Sequence, residues 1–185
     1  MAKLFPGDYV ESTYIIDFAA LYREGYRAVL FDVDNTLVPH NAPADGRAQA
    51  FFAYLKGLGY GCMFISNNKE PRVKTFCEAV GGDGYIFKAG KPGAAGYLEA
   101  CKRLSVSPEQ TLFVGDQILT DIWGANNAGM RSVLVKPVWK WHEEPQIVAK
   151  RILEAVILFF YRIYTAGGRH VQAVPLVSGQ NNFES

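Results

Sequence analysis

Short apolar runs alternate along this chain with stretches whose apolar residues recur at helical spacing. The strand-like runs fall near 28–33, 61–66, 84–88, 111–115 and 131–136, and the helical stretches near 45–58, 70–80, 92–104 and 117–128. A parallel strand is covered on both faces and reads as a nearly continuous apolar run. Strands separated by helices of this length predict right-handed crossovers and a parallel sheet. The punctuation agrees. Gly57, Gly59 and Gly61 precede the second run, Pro71 and Pro92 stand at helix starts, and Pro108 precedes the fourth run.

A last helix is predicted over 145–166. Val148, Ala149, Ile152, Leu153, Ala155, Val156, Phe159, Phe160 and Ile163 fill one arc of it, and Lys150, Arg151, Glu154 and Arg162 lie opposite. Ile147, Leu158 and Tyr161 fall on the mixed face, which is more apolar than docking onto a domain requires. The uninterrupted run Ala155–Tyr161 is far short of the ~20 residues that span a bilayer. Two settings suit such a helix: the interface of a membrane, or packing against the core or a second subunit. Residues 167–185, with Gly167-Gly168 and a polar end, read as a flexible tail. One domain over 1–166 is therefore expected.

Composition narrows the partners. With 185 residues, 49% of them hydrophobic, one domain has enough apolar material for a sizeable core. Lysine and arginine total 19 against 18 acids, which gives no sign of nucleic-acid binding. Cys62, Cys77 and Cys101 have no metal-ligand spacing, and an odd count fits packed free thiols in a reducing compartment. The start of the chain lacks a secretory pattern. A cytoplasmic location follows, with peripheral contact at the inner membrane face if the last helix meets lipid.

Chemistry concentrates at two strand ends. The run Ala28–Phe31 delivers Asp32 and Asp34 at its C-terminal end, where ligands of open α/β sheets bind. Charges there are costly unless paired or bound to metal. Thr111–Gly115 ends the same way in Asp116, and Asp121 follows just inside a helix. Asp116 and Asp121 could serve only as helix cap and first-turn acid. Together the two motifs suit a hard divalent cation, since magnesium is usually held by one or two carboxylates, waters and phosphate oxygens.

Asp-Val-Asp-Asn-Thr-Leu (32–37) followed by Gly-Asp-x4-Asp (115–121) resembles the first and fourth motifs of the haloacid dehalogenase (HAD) superfamily of phosphohydrolases. Phe64-Ile65-Ser66-Asn67-Asn68 matches its second motif and Lys91-Pro92 its third. Asn35 and the lead-in Tyr9-Val10-Glu11-Ser12 favour the capless subclass III A, and within it the YqeG group related to phosphatidylglycerophosphate phosphatases. The resemblance implies a HAD-like Rossmannoid three-layer α/β fold, with the Asp32 strand central in a parallel sheet. It implies that Asp32 is the nucleophile, forming an aspartyl-phosphate, and Asp34 the general acid/base. Mg²⁺ would be held by Asp32, Asp116 and the Asp34 backbone carbonyl. Ser66 and the amide of Asn67 would bind phosphate, Lys91 would neutralise charge, and Asp121 would orient Lys91 or a metal-bound water. Lys88 competes with Lys91. Lys91 is preferred because its Pro92 opens a helix at the same sheet edge.

Only 33 residues lie between Asp32 and Ser66, and 24 between Ser66 and Lys91, so neither gap can hold a cap domain. An open site suits a phosphate carried by something large, such as a lipid, a protein or an oligomeric partner. A soluble sugar-phosphate or nucleotide phosphatase remains open, as does a non-catalytic module that binds phosphate or a partner. His40, in the loop after the nucleophile strand, either contacts substrate or is simply solvated. His142, in Trp139-Lys140-Trp141-His142, either lines the approach or packs under the last helix.

Overall fold

A computed structural model describes residues 3–138, 145–166 and 173–177. The apolar run that introduces Asp32 becomes a strand buried at every position, β2 (Ala28–Phe31), near the middle of one six-stranded sheet. The other strands are β1 (Asp8–Val10), β3 (Gly61–Ile65), β4 (Gly84–Ile86), β5 (Thr111–Gly115) and β6 (Arg131–Val135). All pairings are parallel, in the order β1-β6-β5-β2-β3-β4. In register, Phe31 stands opposite Phe64 on one side and Val114 on the other. Asp32 and the residues after Phe64 and Val114 therefore emerge together at one edge.

Alternation along the strands builds two cores. Val29 and Phe31 of β2, Phe64 of β3 and Val114 of β5 face α1 (Phe18–Arg23), α2 (Gly46–Leu58) and α3 (Glu70–Val80). Aromatic rings dominate there, with Phe31 within ring-contact distance of Phe18, Phe51, Phe52 and Phe64. On the opposite face Leu30, Met63, Ile65 and Phe113 meet α4 (Ala95–Leu104) and α5 (Trp123–Asn127). Helix–sheet–helix layering thus follows from the period-2 exposure of each strand to two apolar surfaces. Helix starts and stops obey local chemistry. Asp45 accepts from the Ala48 amide at 2.7 Å to begin α2, and Gly59 ends it in the left-handed conformation, φ 96°.

Several boundaries differ from the periodicity. The strand predicted to run to 88 stops at Ile86 and the chain turns through Lys88, φ 44°. The helix predicted from 92 begins at Ala95. The stretch predicted as one helix over 117–128 opens instead with a π-helical turn, Ile118–Ile122, before α5. β1 was not foreseen. It is a three-residue edge strand whose Asp8 is buried against Arg131 at 2.9 Å.

The last helix, α6 (Pro145–Ala166), has the predicted span. Its orientation is the finding. Ile157 and Leu158, on or beside the mixed face, pack against Ile118, Ile122 and Leu134, and Glu154 is buried beneath them. The side chains of Lys150 and Arg151 lie outside the described residues, as does the cluster 139–142 with His142. The flexible tail expected from 167 needs correction over 173–177. Val174 is buried, its amide donates to Asp8, and Leu176 bridges to Ile16. A buried hydrophobic side chain, the Asp8 contact and two backbone hydrogen bonds, from the Asp17 amide to the Pro175 carbonyl and from the Val177 amide to the Ile15 carbonyl, outweigh the polar composition around it.

Candidate active site

Three carboxylates converge at the C-terminal ends of β2 and β5. Asp32, Asp116 and Asp121 are all buried, and one oxygen of each lies within 4.8 Å of the others. The Lys91 ammonium enters from the loop before α4 and donates to Asp32 Oδ1 and Asp121 Oδ1, both at 2.6 Å. Such short charge-assisted bonds are the strong kind. Burial drives the Asp32 carboxyl well above the usual range. Lys91 opposes that shift, and the neighbouring Asp121 and Asp116 reinforce it. For Lys91 burial alone would favour the neutral amine, but Asp121 and then Asp32 outweigh it and hold the ammonium charged.

The turn after β5 is shaped for Asp121. Its Oδ2 accepts from the Gln117 amide at 3.0 Å, so the carboxylate both ties the turn and grips Lys91. Gly115 makes room. A Cβ there would stand 2.6 Å from both Cβ and Oδ2 of Asp121. Tyr97 supports the same turn from α4, its hydroxyl near the carbonyls of Thr120 and Asp121. Local widening of a helix at a functional site is a recurrent device.

The turn after β2 displays Asp34. Asn35 adopts φ 64°, a conformation asparagine tolerates, and the Thr13 hydroxyl and Tyr14 phenol bond the carbonyls of Thr36 and Leu37 behind it. Asp34 Oδ1 accepts from the Asn41 amide at 2.7 Å and Arg72 Nη2 at 2.9 Å, while Oδ2 accepts from Asn68 Nδ2 at 2.7 Å. His40 Nδ1 is 4.0 Å away on an exposed ring.

The remaining expected residues sort themselves by contact. Ser66 is buried at the end of β3 and its hydroxyl accepts from the Asn68 amide at 3.1 Å. The Asn67 side chain faces Lys91: Oδ1 accepts from the Lys91 amide at 2.9 Å and Nδ2 donates to its carbonyl at 3.2 Å. The Asn67 amide group therefore fixes the lysine's backbone. Lys88 is exposed, and Lys91 is the lysine in the acidic cluster. Arg72 and Asn68 were not anticipated as partners of Asp34.

Residues 88–155 match the HAD-hydrolase-like family (Hydrolase_like). A probable phosphatase of Bacillus subtilis, YqeG, is 34% identical over 140 residues, covering 75% of this chain and 81% of the relative. The chain belongs to the HAD family of phosphatases. A chloroplastic phosphatidylglycerophosphate phosphatase 1 of Chlamydomonas reinhardtii is 29% identical over 167 residues. That alignment covers 85% of this chain but 61% of the algal protein. An uncharacterized protein of Listeria monocytogenes has a similar fold, with TM-score 0.52 and 16% identity, over 64% of this chain and 85% of the other. As an enzyme of this family, the chain has a donor set that suits a hard divalent cation: three buried carboxylates, with no thiol or imidazole among them.

Proposed function

We propose that this phosphatase hydrolyses a phosphomonoester borne on a lipid, of the phosphatidylglycerophosphate class, through an aspartyl-phosphate at Asp32. The observation that carries the lipid assignment is the exposed face of α6. Leu153, Val156, Phe159, Phe160 and Ile163 are each 49–60% exposed, on a helix that rests on the same turn that carries Asp121. The helix docks through its mixed face and leaves its most apolar arc in solvent. Contiguous exposed apolar patches mark interaction surfaces. Exposed Arg162 adds a charge that suits an anionic surface. Among the described residues no helix is long and apolar enough to cross a membrane. The name of the algal relative, a phosphatidylglycerophosphate phosphatase, points the same way.

In this reading Asp32 attacks phosphorus, a bond forms to its carboxylate oxygen, and the bond to the substrate alcohol breaks. Asp34 gives that oxygen its proton, then takes one from the water that cleaves the aspartyl-phosphate, so alcohol and inorganic phosphate leave. Ser66 and the Asn67 amide bind phosphoryl oxygens, and Lys91 offsets their charge. Asp32, Asp116 and the Asp34 carbonyl would hold Mg²⁺, which supplies positive charge where the phosphoryl and carboxylate oxygens crowd. Asp121 stays with Lys91 as its positioning partner.

The test replaces exposed side chains only. A Val156→Ser, Phe159→Ser, Phe160→Ser variant should keep hydrolysis of a soluble chromogenic phosphate. On phosphatidylglycerophosphate in mixed micelles with Mg²⁺ it should lose activity, on the order of tenfold or more, since each apolar side chain contributes roughly 1 kcal/mol or more when buried. Equal activity on both substrates would remove α6 from substrate recognition, and no turnover of the lipid by the unaltered protein would sink the lipid assignment.

A further inference from the structure

The site holds two cationic side chains, and the reaction as described uses only one. Lys91 lies among the carboxylates that surround the transferred phosphoryl group. Arg72 lies on the other side, against Asp34, where the leaving alcohol must sit if Asp34 protonates it. The guanidinium is mostly enclosed, at 18% exposure, with the Phe76 ring 5.6 Å from its central carbon. One of its donors, Nε, is buried with no hydrogen-bond partner among the described residues. A planar fork of five donors is made for bidentate recognition of carboxylate or phosphate, and here a single Nη2 contact to Asp34 is what it makes with that carboxylate.

Asp34 has donors on three of the roughly four acceptor sites of its carboxylate. Its two oxygens take donors from the Asn41 amide, Asn68 and Arg72, and His40 approaches from solvent. A leaving oxygen can take the open site on Oδ2, where Asn68 is the one donor among the described residues, and of the three donors only a long side chain can also reach the group that oxygen carries. The Asn41 donor is fixed in the backbone and Asn68 is short. Arg72 is long, flexible and incompletely partnered. Resting on the phosphatase reading above, we infer that Arg72 is the specificity-determining residue for a leaving alcohol that carries a second anionic group. The anion takes the guanidinium fork as the leaving oxygen takes its place on Asp34. A phosphodiester a few atoms from the scissile ester, free or in a lipid headgroup, has the required charge and geometry.

The experiment uses the whole chain with Mg²⁺ and three substrates: sn-glycerol 3-phosphate, whose alcohol is neutral, and glycerophosphoglycerol phosphate as the water-soluble diester, with intact phosphatidylglycerophosphate in micelles as the third. Arg72→Gln should lower kcat/KM for both diester substrates about ten- to a hundredfold more than for glycerol phosphate, the span of one lost hydrogen bond to a charged group. Arg72→Lys, which keeps the charge without the fork, should recover part of that selectivity. Loss confined to the lipid would place the recognised anion on the micelle surface, and overturn the leaving-group assignment. Equal loss on all three substrates would make Arg72 a support for Asp34 only, and also overturn it.

A binding measurement separates this inference from the reading beneath it. Glycerophosphoglycerol, which has no monoester to cleave, should bind the unaltered protein about tenfold more tightly than Arg72→Gln in calorimetry. Equal affinity refutes the role of Arg72. Tight binding with no turnover of any of the three substrates refutes the proposed reaction and leaves the Arg72 site standing.

Discussion

Replacing Lys91 by Met isolates the charge that holds the acidic cluster together. The unbranched stem is kept, and the backbone should stay in place because the Asn67 side chain bonds both the amide and the carbonyl of residue 91. What disappears is an ammonium bonded at 2.6 Å to each of two buried carboxylates, with Asp116 close by. Removing one partner of a buried ion pair typically costs about 3–5 kcal/mol, because the other charge is left uncompensated. For a chain of this size 1 kcal/mol moves the melting temperature by roughly 2–4 °C, so the variant should melt about 6–20 °C lower in EDTA.

Mg²⁺ should then shrink that deficit. A cation bound only by the folded state adds about 2.7 kcal/mol at a hundredfold excess over Kd, and a cluster that has lost its ammonium should gain more from it than the unaltered protein does. Urea unfolding, in EDTA and in Mg²⁺, measures both quantities. A deficit below about 1 kcal/mol in EDTA would refute the claim that Lys91 compensates this cluster. An equal Mg²⁺ increment in the two proteins would refute the claim that ammonium and metal relieve the same repulsion.

Two further outcomes follow from the same geometry. Asp32→Asn should reduce turnover of any phosphomonoester by a factor on the order of 10⁴ or more, as loss of a nucleophile does, while its melting temperature in EDTA stays level or rises because one carboxylate leaves a crowded buried cluster. Substantial residual turnover would exclude Asp32 as nucleophile. Gly115→Ala should cost about 1–3 kcal/mol in urea unfolding, the usual penalty of overpacking, and should lower activity further by pushing Asp121 off Lys91. An active, undisturbed variant would show that the turn has slack.

Much of this architecture was legible in the chain because burial on two faces leaves a plain mark. Ala28–Phe31 and Thr111–Gly115 are apolar at nearly every position and each ends in aspartate, so strand, edge and chemistry were readable together. Contacts between distant polar groups leave no such mark. Asn67 reads as a backbone donor to phosphate beside Ser66, and nothing in the sequence tells that its side chain pairs with the backbone of a residue 24 positions away. β1 is three residues long, and its Asp8 is explained only by Arg131 and by the returning segment at Val174. Arg72 did carry a signal. A cation in the first turn of α3 opposes the helix dipole, so it needs a reason, and Asp34, 38 residues earlier, is that reason.

The orientation of α6 shows how far periodicity reaches. Two faces of this helix are apolar enough to dock, and pattern alone cannot choose between them. The choice is made by Glu154, whose carboxylate accepts from the Leu119 amide at 3.2 Å in the turn before Asp121. A buried acid is tolerated when it satisfies a donor that would otherwise be stranded, and this one sits at the start of a π-helical turn whose first amides have no intrahelical acceptor. Once Glu154 is committed, the helix can rotate no further. Ile157 and Leu158 follow it into the core, and Leu153, Val156, Phe159, Phe160 and Ile163 must face outward. The apolar surface is thereby fixed to the element that carries Asp121, so whatever α6 meets is held beside the acidic cluster.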